Sequence, residues 1–235
     1  MTSRCDLQVT ERRMNGHVKS VHLRLWMEAA AALLCLRLAV AVDSTGGVMA
    51  SGAQDCALVQ QTLKITRLAH KESADLIKTY KASQGEMSEF FCKVSSSDIP
   101  VPNISGLEQS DRIASISTRL RAFFPHFRRV YEQQSDLQPP TSALLSLLRD
   151  VRGRNRDLAS VVNSLYQSLY PNLPGPGPKG APTKPPPRQN IFQQKVYGCV
   201  VLKTYKEFLS NVMREMRMLK SNVCAGRMKR NVQLF

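Results

Sequence analysis

The chain has 235 residues, with 33 Lys and Arg against 18 Asp and Glu, a net charge of +15, and only 4 His. With no Ser/His/Asp ordering, no Gly-rich phosphate loop and no clustered carboxylates, the sequence offers nothing for an enzyme to work with, and no cofactor is expected. Lys and Arg are spread along the chain without the aromatic interleaving of a single-strand-binding surface, which argues against nucleic acid; the charge does admit heparan sulfate as a partner, and a basic helical protein that binds polyanions or membrane surfaces is the alternative reading.

Residues 1–41 read as a secretory signal with a long basic leader. Arg12, Arg13, Lys19 and Arg24 precede a stretch, 25–42, that is apolar apart from Glu28 and Arg37 and that ends in Ala39-Val40-Ala41, the small-x-small pattern of signal peptidase. Met27 offers a second start with a shorter leader. An uncleaved anchor is the competing reading, because the stretch approaches the roughly 18–20 residues of a membrane span. Cleavage removes six basic and three acidic residues and leaves the remainder at +12. The product is expected outside the cell, with no membrane insertion, and monomeric.

Cys56, Cys92, Cys199 and Cys224 lie beyond the leader. An even number in an exported chain implies two disulfides, with three possible pairings. No C-x-x-C pair or His cluster suggests structural zinc.

A flexible segment, 42–55, is expected first. A helix over 56–81 follows, with Leu58, Ile65, Leu68, Ala69, Leu76, Ile77 and Tyr80 near helical spacing and Gln84-Gly85 as the stop. Residues 86–110 are rich in Ser, Pro and Gly and read as a long loop, with Asn103-Ile104-Ser105 an acceptor for N-glycosylation. The second helix, 111–134, is expected to bury Ile113, Ile116, Leu120, Phe123, Phe124, Phe127, Val130 and Tyr131; Pro125 is expected to kink or break it, with His126 part of that kink. After a short connection, Thr141 or Ser142 caps a third helix, 142–169, where Leu144, Leu148, Val151, Leu158, Val162, Leu165 and Leu169 recur at threes and fours and Asn155 is the polar exception. Residues 171–190 hold eight prolines and cannot pack as regular structure. The last helix, 191–220, carries Phe192, Val196, Cys199, Leu202, Tyr205, Leu209, Val212, Met216 and Leu219 on its apolar side, and 225–235 is a basic tail.

The expected fold is all-α, a long-chain four-helix bundle spanning 56–224. Its order of connections is long, short, long. A third helix of this length spans about 42 Å, and the Pro-rich segment reaches about 60 Å when extended, enough to return the chain to the far end. The loop at 86–110 can do the same, which gives up-up-down-down topology with two crossovers. In that topology only Cys56–Cys224 and Cys92–Cys199 place both partners of each pair at one end of the bundle.

The last helix opens with Phe192-Gln-Gln-Lys195-Val-Tyr-Gly198-Cys199, followed by Leu202-Lys203-Thr-Tyr205-Lys206, and the first closes with Tyr80-Lys-Ala-Ser-Gln84-Gly85-Glu86 ahead of Cys92. These blocks resemble the leukemia inhibitory factor / oncostatin M branch of the interleukin-6 family of helical cytokines. The resemblance implies a secreted cytokine acting through JAK/STAT signalling, with cell-surface cytokine receptors as partners. Phe192 and Lys195 would contact a leukemia inhibitory factor receptor-type chain. Gln61, Lys64, Ala159 and Asn163, on the exposed faces of the first and third helices, would contact the shared signal-transducing receptor. The chain departs from the family late in the third helix, where it has Tyr166 and Leu169 in place of further cysteines.

Overall fold

A computed structural model of the chain describes residues 47–86, 88–93, 98–177 and 189–232, among which only helices and loops occur. The expected leader, most of the Pro-rich segment and the last three residues lie outside the described residues.

Helix α1 spans Gly47–Gln84, α2 Ser88–Phe91, α3 Gln109–Ser135, α4 Ala143–Leu169 and α5 Ile191–Val232. Four of these are the expected long helices, with corrected bounds. The segment 42–55 is helical from Gly47 onward, since Met49, Ala50 and Ala53 favour helix and no proline intervenes. Helix α1 stops at Gln84 because Gly85 takes φ +87°, which a side chain resists. At the other terminus α5 runs on to Val232 through a stretch expected to be a tail, because Met228, Lys229 and Arg230 are good helix formers. Helix α2, a single turn inside the expected loop, was not foreseen; four residues are too few for a periodic signal.

Pro125 does not break α3. The helix is continuous through it, held on either side by the fully buried Phe123 and Phe127. Asn155, the polar exception on α4, is buried and donates its amide to the Leu120 carbonyl at 2.9 Å, one residue before the carbonyl whose helical donor Pro125 removes. Ser142 caps α4 by accepting from Leu144 N.

Contacts between helix ends fix the topology. Gln84 and Gln134, at the C-terminal ends of α1 and α3, share a hydrogen bond, so these two run in the same direction. Asp55 near the start of α1 meets Ser168 at the end of α4. Tyr80 near the end of α1 reaches Lys195 at the start of α5. Arg112 at the start of α3 pairs with Glu215 late in α5 at 3.1 Å. Helices α4 and α5 therefore run opposite to α1 and α3, the up-up-down-down arrangement. A single core joins all four, with Phe123 at its centre packed against Phe127, Tyr205 and Phe208 at centroid distances of 6.0, 5.1 and 5.7 Å.

Disulfides link Cys56 to Cys224 and Cys92 to Cys199, with Cα separations of 5.2 and 5.1 Å.

Candidate functional site

Helix α5 begins with a reciprocal cap. Asn190 Oδ1 accepts from Gln193 N at 2.8 Å while Gln193 Oε1 accepts from Asn190 N at 3.0 Å, which satisfies two donors that a helix start leaves free. The Asn-x-x-Gln spacing was legible in the sequence and was missed there. It fixes the first turn, and that turn carries Ile191 and Phe192, 58% and 61% exposed.

Phe192 stands on a support. Its ring meets Phe91 of α2 edge-on, centroids 5.4 Å apart and planes at 87°. Phe91 is buried and its neighbour Phe90 is 59% exposed, with the Lys93 ammonium 5.1 Å from the Phe90 ring centre. The sequence offered one signal for these residues, two adjacent aromatics just before a cysteine. Lys195 follows Phe192 by three residues, on the same side of the helix and half-buried.

Beneath lies a hydrogen-bonded floor. Tyr80 Oη donates to the Lys195 carbonyl at 3.0 Å and receives Gln134 Nε2 at 3.4 Å, and Gln134 Oε1 receives Gln84 Nε2 at 2.9 Å. Three helices thus meet under the exposed motif, and burial pushes the Tyr80 phenol far above its ordinary pKa. Gly198 is required by this contact, because a Cβ there would overlap the Tyr80 hydroxyl and ring. The disulfide from Cys92 to Cys199 ties α2 down beside it, and Lys203 Nζ donates to the Cys92 carbonyl at 3.3 Å.

His126, expected to belong to a proline kink, instead joins this end of α5 through Nδ1 and Tyr197 Oη at 2.7 Å. The Arg129 guanidinium covers the Tyr197 ring at 4.6 Å. Burial and then Arg129 lower the His126 pKa, against a smaller opposite pull from Asp98. His70 on α1 is half-buried and paired with Ser210 Oγ at 3.0 Å.

The second expected surface is brought together in part. Helices α1 and α4 adjoin through Arg154 and Glu72 at 3.1 Å. Gln61 and Lys64 are exposed on α1. Asn163 is half-buried, its Oδ1 accepting from Arg121 Nη2 at 3.1 Å. Ala159 is a correction: at 6% exposure it faces the core, where its small side chain lets the helices approach. Leu68, counted among the apolar positions of the first helix, is 42% exposed on α1. Asn103 is exposed in the loop before α3, and that loop is held by Asn211 Nδ2 donating to the Pro102 carbonyl at 3.0 Å.

No helix among the described residues is long and apolar enough to cross a membrane. Long helices in up-up-down-down order, with two crossover connections and an exposed aromatic at one end, define the class of long-chain helical cytokines. The LIF / OSM family model matches residues 57–216. Human cardiotrophin-1 is 28% identical over 162 residues, covering 66% of this chain and 81% of that protein. Rat and mouse cardiotrophin-1 are each 27% identical over 164 residues, with the same coverage. The chain belongs to the LIF / OSM family. It is an interleukin-6-family cytokine and not an enzyme, and its partners are cell-surface cytokine receptors.

Proposed function

We propose that this cytokine is secreted, is glycosylated at Asn103, and signals as a monomer by bringing two receptor chains together, activating JAK/STAT signalling. A leukemia inhibitory factor receptor-type chain docks on Phe192 and Lys195. The shared interleukin-6-family signal transducer docks on the α1–α4 face around Gln61 and Lys64, with Asn163, which turns toward Arg121 of α3, at its far edge and the buried Ala159 outside the contacts. One observation carries the reading: Phe192 is exposed yet held rigidly, edge-on to Phe91 at a doubly capped helix start. A large apolar ring facing water on a fixed platform, one turn from a cation, is the composition of an interface hot spot. Pre-organisation reduces the ordering cost of binding.

The test is binding of the secreted chain to the leukemia inhibitory factor receptor-type chain, wild type against Phe192→Ala with Lys195→Ala. A hot-spot loss of about 2 kcal/mol predicts weakening of about thirtyfold or more, with circular dichroism unchanged. Undiminished binding by the folded double variant would remove this site from the mechanism.

A further inference from the structure

The groove between α1 and α5 lies along the side of the bundle, and the receptor reading makes no use of it. It encloses about 490 Å³ and is lined by Ile77 and Lys81 from α1, by Lys93 after α2, and by Lys203, Lys206 and Ser210 from α5. Two further observations extend it into a continuous surface.

The first is a basic row on α5. Lys203, Lys206 and Ser210 face the groove, and Arg214 and Arg217 continue that row at helical steps of four and three. From 203 to 217 the row is about 21 Å long. The second is a matching row on α1. His70 touches Ser210 across the groove and Ile77 and Lys81 line it; Arg67, Lys71 and Lys78 lie beside these on the solvent side, recurring at steps of four and seven. All three are exposed. The antiparallel register set by Cys56–Cys224 and by His70–Ser210 places the α1 row opposite the α5 row.

Neutralisation along this surface is slight. Glu89 and Glu207 also line the groove, paired with Lys81 at 2.8 Å and with Lys203 at 3.9 Å, and Asp75 sits on the outer edge of the α1 row. Arg67, Lys71, Lys78, Lys206, Arg214 and Arg217 make no ion pair among the described residues. The concentrated charge is felt at His70, whose pKa is lowered by burial and then by Lys206.

We infer that the α1–α5 groove binds a sulfated glycosaminoglycan of the heparan sulfate type along its length. The ligand must be linear and anionic, because the cations form two parallel rows with a shallow channel between them instead of converging on a point. Sulfate groups at intervals along a polysaccharide meet such rows without any base-stacking partner, and no exposed aromatic stands between the rows to serve a nucleic acid strand. Ile77 is the one large apolar side chain among the described residues that line the groove, so there is no apolar ridge of the sort that inserts an interfacial helix into a lipid surface. The two rows include neither Phe192 nor Lys195, so binding here would hold the cytokine on a cell-surface polysaccharide through cations the receptor reading leaves unassigned.

The experiment is binding of the full secreted chain to immobilised heparin across a salt series. One variant carries Arg67→Ser, Lys71→Ser, Lys206→Ser and Arg214→Ser. A control loses the same charge from the other side of the bundle through Arg128→Ser, Arg149→Ser, Arg152→Ser and Arg156→Ser. The wild type should bind and release with rising salt. The groove variant should lose about tenfold or more at a fixed salt and show a shallower salt slope, while the control stays within about threefold. Desulfated heparin should compete poorly. Equal losses in both variants would reduce the effect to net charge and overturn the proposal, as would absence of heparin binding by the wild type, or tighter binding to anionic lipid vesicles than to heparin. If the quadruple variant fails to fold by circular dichroism, the single reversal Lys71→Glu is read in its place.

Discussion

The two ends of the bundle are tied by one disulfide each and are otherwise built differently. At the end where α1 begins and α5 finishes, Cys56–Cys224 is accompanied by the Asp55–Ser168 hydrogen bond and the Arg112–Glu215 pair, contacts between neighbouring helices near the surface. At the other end, Cys92–Cys199 sits beside a chain of buried hydrogen bonds running Gln84, Gln134, Tyr80 and the Lys195 backbone, with Gly198 pressed against Tyr80 and His126 on Tyr197. The exposed Phe192 stands on this second end. A recognition residue needs a platform whose own side chains are locked, and the buried Gln84 and Gln134 sit under this one.

The comparison is sharpest when each disulfide is removed in turn. The loops they close, 168 and 107 residues, predict nearly equal stabilisation of about 5 kcal/mol on the chain-entropy account, with less delivered in practice. Cys56→Ser with Cys224→Ser should therefore lower Tm about as much as Cys92→Ser with Cys199→Ser. Receptor binding measured well below either Tm should separate them: the first pair leaves the Phe192 platform intact, while the second frees α2, and with it Phe91. Equal losses of binding would mean that the two ends are not functionally distinct.

Gly198→Ala is the smaller intrusion into the same platform. The added Cβ meets a Tyr80 ring that is fully buried and cannot swing aside, so about 2–3 kcal/mol of stability should be lost, within the range for overpacking. Thermal unfolding followed by circular dichroism checks it, and a Tm within a degree of wild type would show that the contact yields easily.

These residues also mark where sequence reasoning ends. The four long helices were legible because each buries a stripe at helical spacing, most cleanly on α4, where Leu144, Leu148, Val151, Leu158, Val162 and Leu165 all reach the core. Up-up-down-down topology followed from the lengths of the connections. Phe192 and Lys195 were legible only through a resemblance. Their support was not, because it joins residues more than a hundred positions apart, Tyr80 to Lys195 and Phe91 to Phe192, and no local pattern encodes such a pairing. Gly198 read as part of a motif, but its reason, a tyrosine from another helix occupying the space of its side chain, exists only after folding. Ala159 failed in the opposite sense. Resemblance alone put it on an exposed face, yet it follows Leu158 in the apolar stripe of α4 and the packing of the helices closes over both.

The smallest expected effect tests whether the platform end senses pH. His126 is held below its ordinary pKa, by burial first and by Arg129 second, with Asp98 opposing. The unfolded chain, with an ordinary His pKa of about 6.5, takes up a proton before the folded chain does. Stability should therefore be highest above that value and should fall as pH drops from about 7 toward 5.5, since protonation there favours the unfolded state. His70 shifts in the same direction, so His126→Gln should flatten the pH dependence in part and His126→Gln with His70→Gln should flatten it further. Denaturant unfolding at a series of pH values measures this directly. Because His126 bonds Tyr197 one residue from Gly198, whereas His70 lies at mid-bundle, a matching fall in receptor binding that His126→Gln removes and His70→Gln does not would tie the titration to the platform. Binding that follows pH equally in both variants would leave the histidine a matter of stability alone.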